Sequence, residues 1–257
     1  MMEILQITDP HLYGNAGGNL RGVETDSSLR RVLEAAFDRD AAYSAILVTG
    51  DLVQDDPSGY LRFKSLLGGL QTPVLCIPGN HDVPDAMRRS LQDQPPFQYC
   101  GSRTIGAWQF IMLDSFDAGH VGGRLSFEEL TRLDDALATS REHALVCLHH
   151  HPVEIGSRWL DGIGLANTED LWRVIDAHAH VRGVLWGHVH QTFDGMRNGV
   201  RLLGTPSTCA QFLPNSDRYA IDSNPPAFRR LDLREDGSIH SEIRWVEPRQ
   251  GRQVAAR

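Results

Sequence analysis

Cysteine is scarce in this chain. Four are present, Cys76, Cys100, Cys147 and Cys209, far apart and without a CxxC pair. That argues against a disulfide-stapled scaffold and predicts reduced, buried thiols in a cytoplasmic protein. Long hydrophobic runs are lacking too. The longest, at 45–48, 110–113 and 144–148, are strand-sized and far short of the ~20 residues of a membrane span. Residues 1–8 carry no basic region and no extended apolar segment, so no signal peptide is expected there. Positive charge is in deficit: 25 Lys and Arg against 33 Asp and Glu give a net charge of −8. A nucleic-acid binder usually shows a basic face, so that partner is disfavoured.

Histidine, by contrast, is plentiful. There are 12, several in tight clusters. The chain has 257 residues, 41% of them hydrophobic and 23% charged, which is ordinary for a globular protein able to build one large core. No composition break marks a linker. Residues 1–246 are therefore read as a single domain, with 247–257 as a polar, frayed tail.

Short apolar runs alternate with amphipathic ones. Strands are expected at 3–8, 45–49, 73–77, 108–113, 144–149 and 181–186. Helices are expected at 25–40, at 57–70 with Pro57 in the first turn, after Ser126, and from Asn167 or Thr168 to 178. Ser126 and Glu129 have the spacing of a capping box. The end of the chain reads as strands at 201–204, 228–233 and 239–246, and 214–226 as a surface loop. Alternating β and α followed by β alone implies an α/β protein of four layers, αββα, with two mixed sheets flanked by helices.

Five segments follow apolar strands and carry metal-ligand residues: Asp9-Pro10-His11, Gly50-Asp51, Gly79-Asn80-His81-Asp82, His149-His150-His151-Pro152 and Gly187-His188-Val189-His190. Ligands collect beyond the carboxyl ends of strands in α/β sheets, so the five could converge. In extended segments Asp9 and His11 share one face, as do His188 and His190. Carboxylate, amide and imidazole without thiolate suit Mn, Fe, Co, Ni or Zn. A bridging carboxylate such as Asp51 suits two ions ~3.5–4 Å apart, a device for displacement at phosphorus. Two divalent ions against two carboxylates and a hydroxide leave the site about +1, enough to draw a phosphodiester to an acidic protein.

This order of motifs, DxH, GD, GNHD, H and GHxH, resembles the calcineurin-like metallophosphoesterase superfamily from Asp9 to His190. The resemblance implies two ions, iron or manganese first and zinc also compatible. Asp9, His11, Asp51 and His190 would hold one; Asp51, Asn80, His150 and His188 the other. His150 is chosen because the ligand of the family sits two residues before the proline, and alternation would turn His149 and His151 away. His81 would protonate the leaving oxygen and Asp82 would orient it. His11, Asp51, Asn80, His81, His150 and His190 would face the substrate.

The text departs from Ser/Thr protein phosphatases, which carry GDxxDRG and GNHE, and from purple acid phosphatases, which carry tyrosine where Gln54 stands. The opening ITDPHLYG, the SRWLDG segment and TPSTCAQF instead look like bacterial class III 3′,5′-cyclic AMP phosphodiesterases. That implies hydrolysis of cyclic AMP to 5′-AMP by a hydroxide shared between the ions, ending a cyclic AMP signal. A broader phosphodiesterase or nuclease on the same scaffold is the first alternative, and a catalytically dead metal-binding scaffold the second. A dimer is compatible with the sequence, but no seam for one is visible.

Other features have plainer readings. His178 and His180 end a helix, where positive side chains suit the dipole. His120, His143 and His240 read as loop or surface residues, and Arg229-Arg230 as a solvated pair. Gly14 to Gly18 reads as a flexible loop at the site mouth, lacking the Lys-Ser/Thr of a P-loop. Arg21 and Arg158 are weaker candidates for phosphate or ribose contact, and Thr205 to Cys209 for the pocket wall.

Overall fold

The computed structural model describes residues 2–38 and 41–247. The chain opens with β1 (Met2–Ile7), β2 (Asn19–Leu20), β3 (Val23–Glu24), α1 (Thr25–Ala36), β4 (Ala45–Thr49), α2 (Gly59–Leu67), β5 (Val74–Ile77) and α3 (Pro84–Leu91). It continues through β6 (Phe97–Tyr99), β7 (Gly101–Ile105), β8 (Trp108–Met112), α4 (Phe127–Thr139), β9 (His143–Cys147), α5 (Arg158–Asp161), α6 (Thr168–Asp176) and β10 (Val181–Trp186). The last strands are β11 (Phe193–Arg197), β12 (Val200–Gly204), β13 (Gln211–Phe212), β14 (Ile221–Asp222), β15 (Ala227–Leu233) and β16 (Ile239–Trp245).

Two six-stranded sheets form, in the orders β16-β15-β1-β4-β5-β6 and β11-β12-β10-β9-β8-β7. β1, β4, β5 and β6 run parallel in the first, and β12, β10, β9 and β8 in the second, with antiparallel strands at the margins. Alternation along each strand sets the layers. Ala45 and Leu47 of β4 and Leu145 and Cys147 of β9 meet between the sheets. Ile46 and Val48 turn outward onto α1, α2 and α3. Ala144 and Val146 turn outward onto α4, α5 and α6. The expected αββα order is what forms. Each fully buried Leu or Phe contributes about 1.5–3 kcal/mol, so the shared layer binds the sheets firmly.

A polar tie crosses that layer. The Gln6 amide donates to Thr49 Oγ1 (2.9 Å) and to the Trp186 carbonyl (3.2 Å). Arg229 is buried rather than solvated: it donates to Thr205 Oγ1 (2.8 Å) and the Gly204 carbonyl (2.7 Å), while Arg230 pairs with Glu3. All four thiols are free and buried.

Some boundaries differ from expectation. Ser126 Oγ accepts from Glu129 N, but the Glu129 carboxylate pairs with Arg132, so only half the capping box is made. Asn167 precedes α6, yet its side chain bonds the Leu125 backbone in both directions instead of capping. The first helix ends at Ala36; its expected continuation to 39–40 lies outside the described residues, as does the tail from 248. No described helix is long and apolar enough to cross a membrane.

Candidate metal centre

The loops after β1, β4 and β5 of the first sheet meet those after β9 and β10 of the second. Asp9 N donates to the Gly50 carbonyl (3.1 Å) and His11 N to that of Asp51 (2.9 Å), so the first two loops continue the β1–β4 ladder. Close packing demands glycine here. Gly50 has φ +97°, and a Cβ on it would lie 2.2 Å from His149 Nδ1; one on Gly79 would lie 2.2 Å from Asp51 Oδ1.

The DxH and HxH pairs are not extended, contrary to expectation. Asp9, His11, Asp51, His188 and His190 all have positive φ, between 46° and 66°. Such a conformation costs a non-glycine residue about 1–2 kcal/mol, and its repetition at five residues of one cluster marks a functional site. The turns, not strand alternation, aim both members of each pair inward.

Two groups of ligand atoms result. In the first, His190 Nε2 lies 3.3 Å from Asp9 Oδ1 and 3.2 Å from His11 Nε2, which is 3.8 Å from Asp51 Oδ2. In the second, His149 Nε2 lies 3.4 Å from Asp51 Oδ2 and 3.3 Å from Asn80 Oδ1, which is 2.9 Å from His188 Nδ1. Asp51 Oδ2 belongs to both. The other oxygen of each carboxylate is already occupied: Asp51 Oδ1 accepts from His81 N (2.8 Å), and Asp9 Oδ2 from Thr8 Oγ1 (2.6 Å) and His188 N (3.1 Å). The other ring nitrogens of three histidines are also tied to carbonyls: His190 to Ala210 (2.7 Å), His149 to Thr49 (2.7 Å) and His188 to Ile163 (3.1 Å). That is the usual outer support of a metal-binding imidazole, and it turns the second nitrogen of each ring inward.

The triple-histidine run departs from expectation. His149 does not turn away: its ring enters the cluster. Strand phase explains this. Leu145 and Cys147 face the other sheet, and His149 continues their side, whereas His150 continues the helix-facing side of Val146 and Leu148. His150 is fully buried; its Nδ1 meets Ser115 Oγ (2.8 Å) and its Nε2 donates to the Val121 carbonyl (3.1 Å), so both nitrogens have protein partners. His149, His150 and His188 still bring one atom each within 4.8 Å of one another. His151 stacks on His188, with ring centroids 5.8 Å apart.

The electrostatics fit cations. Burial raises Asp9 and Asp51, but the neighbouring imidazoles outweigh it and hold both carboxyls below their ordinary value. Burial pushes His11 down to about 4, and His150 and His188 down as well. His149 goes the other way: burial opposes its charge, but Asp51, with help from Asp9, lifts it to about 9. A cluster that draws a proton onto a buried imidazole is one that a divalent ion would satisfy. The buried His11 Nδ1 has no partner.

His81 stands at the pocket face of the cluster, its ring 5.3 Å from that of His11. Asp82 does not orient it. Burial, then the Asp51 charge, pushes the Asp82 carboxyl up to about 7, and it accepts from Gly79 N, Leu52 N, Val53 N and Tyr60 Oη. Asp82 therefore clamps the two loops together. His81 Nδ1 is met instead by Asp55 Oδ2 (3.1 Å) and the Gln54 amide (2.8 Å). Both come from the loop that follows Gly50-Asp51.

The pocket above the cluster is lined by His11, Asp51, Asn80, His81 and His190, but not by His150. Leu20, Arg21, Trp159, Phe212 and Tyr219 also line it; of these the sequence alone singles out only Arg21. Arg158 does not line it, nor do Thr205 to Cys209, which support the Asp9 loop from below through Ser207 Oγ to the Asp9 carbonyl (2.7 Å).

Two carboxylates, an amide and four imidazoles thus gather at strand ends between two sheets, a buried His/Asp cluster of the kind that holds two metal ions. The chain belongs to the calcineurin-like phosphoesterase family, whose profile matches residues 2–192. It is 37% identical over 250 residues to the 3′,5′-cyclic adenosine monophosphate phosphodiesterase CpdA of Haemophilus influenzae, covering 96% of this chain and 91% of that one. It is 40% identical over 248 residues to CpdA of Escherichia coli, covering 94% and 89%. In fold it is similar to a dimetal phosphatase from Danio rerio, with a TM-score of 0.67 at 14% identity, covering 96% of this chain and 99% of the other.

Proposed function

We propose that this protein hydrolyses 3′,5′-cyclic AMP to 5′-AMP and so ends a cyclic AMP signal in the cytoplasm, acting as one domain over residues 1–246. The observation that carries the reading is likeness to cyclic AMP phosphodiesterases over nearly the whole chain, around a cluster that retains a full set of ligands. That full set disfavours a dead scaffold.

Asp9, His11, Asp51 and His190 would hold one divalent ion, and Asp51, Asn80, His149 and His188 the other. His149 replaces His150 because its Nε2 faces Asp51 and Asn80, whereas both His150 nitrogens have partners outside the cluster. Iron or manganese is the proposed metal, with zinc as competitor. When bound, such ions supply an activated water and neutralise charge on the phosphate oxygens. The protein supplies the rest. The turns after β1, β4 and β10 hold the ligand atoms before substrate arrives, so no reorganisation is needed during reaction. His81, tied at Nδ1 by Asp55 and Gln54, keeps Nε2 for the substrate and gives a proton to the departing 3′ oxygen. Asp82 keeps the Asp51 and His81 loops in register.

Turnover of cyclic AMP, a 2′,3′-cyclic nucleotide, an aryl phosphodiester and single-stranded DNA, compared on one metal-loaded preparation, tests the reading. Highest kcat/KM on cyclic AMP is expected. Preference for DNA or for the aryl ester would replace it with the broader phosphodiesterase or nuclease.

A further inference from the structure

The metal cluster accounts for the floor of the pocket but not for its wall. Trp159, Phe212 and Tyr219 pack edge to face there: ring centroids are 5.1 Å apart for Trp159–Phe212, 5.3 Å for Trp159–Tyr219 and 5.6 Å for Phe212–Tyr219. Phe212 is stacked on the ligand-bearing ring of His190 at 4.3 Å and 15°. The aromatic group is thus physically continuous with the metal floor. The Arg21 guanidinium lies 4.5 Å over the Tyr219 ring. Trp159 Nε1 is a buried donor without a protein partner, unusual for an indole. Tyr219 is 44% exposed and Val121, on the same wall, 54%, so the surface is open to a ligand.

We propose that Trp159, Phe212, Tyr219 and Arg21 form the seat of a purine base, whose nucleotide phosphate lies over the metal cluster. The proposal rests on the phosphodiesterase reading and adds how the nucleoside is recognised. A flat base offers a face to the rings and ring-nitrogen acceptors to the Arg21 guanidinium. The cavity is about 190 Å³, below the ~300–1,000 Å³ of a pocket that swallows its ligand. Phosphate and ribose therefore fill the floor, and the base rests half exposed against the rings. Stacking of this kind strengthens binding by roughly 5- to 100-fold per base and tolerates different bases.

The test compares 5′-AMP with ribose 5-phosphate as ligands of the metal-loaded protein, read by tryptophan fluorescence and by inhibition of aryl phosphodiester hydrolysis. Wild-type protein is expected to bind 5′-AMP at least about 10-fold more tightly, with quenching that Trp159→Phe removes. Tyr219→Ala is expected to cut that ratio by about 3-fold or more while leaving ribose 5-phosphate affinity unchanged. Phe212→Leu should do the same; if it fails to fold, the half-exposed Tyr219 position still decides. A wild-type ratio within about twofold, or equal weakening of both ligands in Tyr219→Ala, overturns the seat. A preserved ratio without cyclic AMP turnover supports the seat and overturns the substrate reading beneath it.

Discussion

The floor of the pocket and its aromatic wall are built on different physical terms. The floor sits at strand ends, is almost wholly buried, and holds five non-glycine residues in left-handed conformations. The wall comes from the short helix α5, the short strand β13 and loops, is partly exposed, and is held by ring contacts. Metal chemistry needs ligand atoms fixed within tenths of an ångström, which a shared two-sheet core can provide. Recognition needs shape and area, which loops can vary without disturbing that core. Substitutions on the two surfaces should therefore fail differently.

Loss of Asp51 should be the most severe. Asp51→Ala removes the atom common to both ligand groups, and turnover should vanish along with metal content measured by atomic emission. His81→Ala should lower kcat by ~10²–10⁴ with both ions retained, the usual weight of an acid–base group; normal turnover would remove His81 from the mechanism. The adjacent histidines offer a sharper contrast. His149→Ala should lower metal content by about one ion per chain, as expected for a lost coordinating group. His150→Ala should keep the ions and cost about 1–3 kcal/mol in denaturant unfolding, because it strands Ser115 and the Val121 carbonyl. The reverse pattern would restore His150 as the ligand.

A smaller effect concerns pH. The His149 pKa is raised in the metal-free fold, from 6.5 to about 9. Its stabilisation is present in full below 6.5 and is lost as pH rises through about 9. Thermal unfolding of the stripped protein should show this loss, and the metal-loaded protein should not, because an ion then replaces the proton.

Most of the floor was legible because its residue types are rare in combination and each follows an apolar strand. The proposed choice of His149 over His150 has a sequence signal of its own: Leu145 and Cys147 face the other sheet, and counting in twos from them reaches His149. The left-handed turns at Asp9 and His188 carry no residue signal, since tertiary contacts impose them. In the fold, the central strands were readable from their apolar runs. β11 lies outside the expected strands, although Asn198-Gly199, both with positive φ, mark a tight hairpin into β12. The wall was least legible, because Trp159, Phe212 and Tyr219 belong to separate segments that only the folded chain brings together.

The most direct measurement uses protein stripped of metal, reloaded with manganese or iron, and incubated with cyclic AMP with and without chelator. The account predicts 5′-AMP as the product, formed only when the ions are present. Full metal occupancy with no cyclic AMP hydrolysis, or release of 3′-AMP instead, would contradict it.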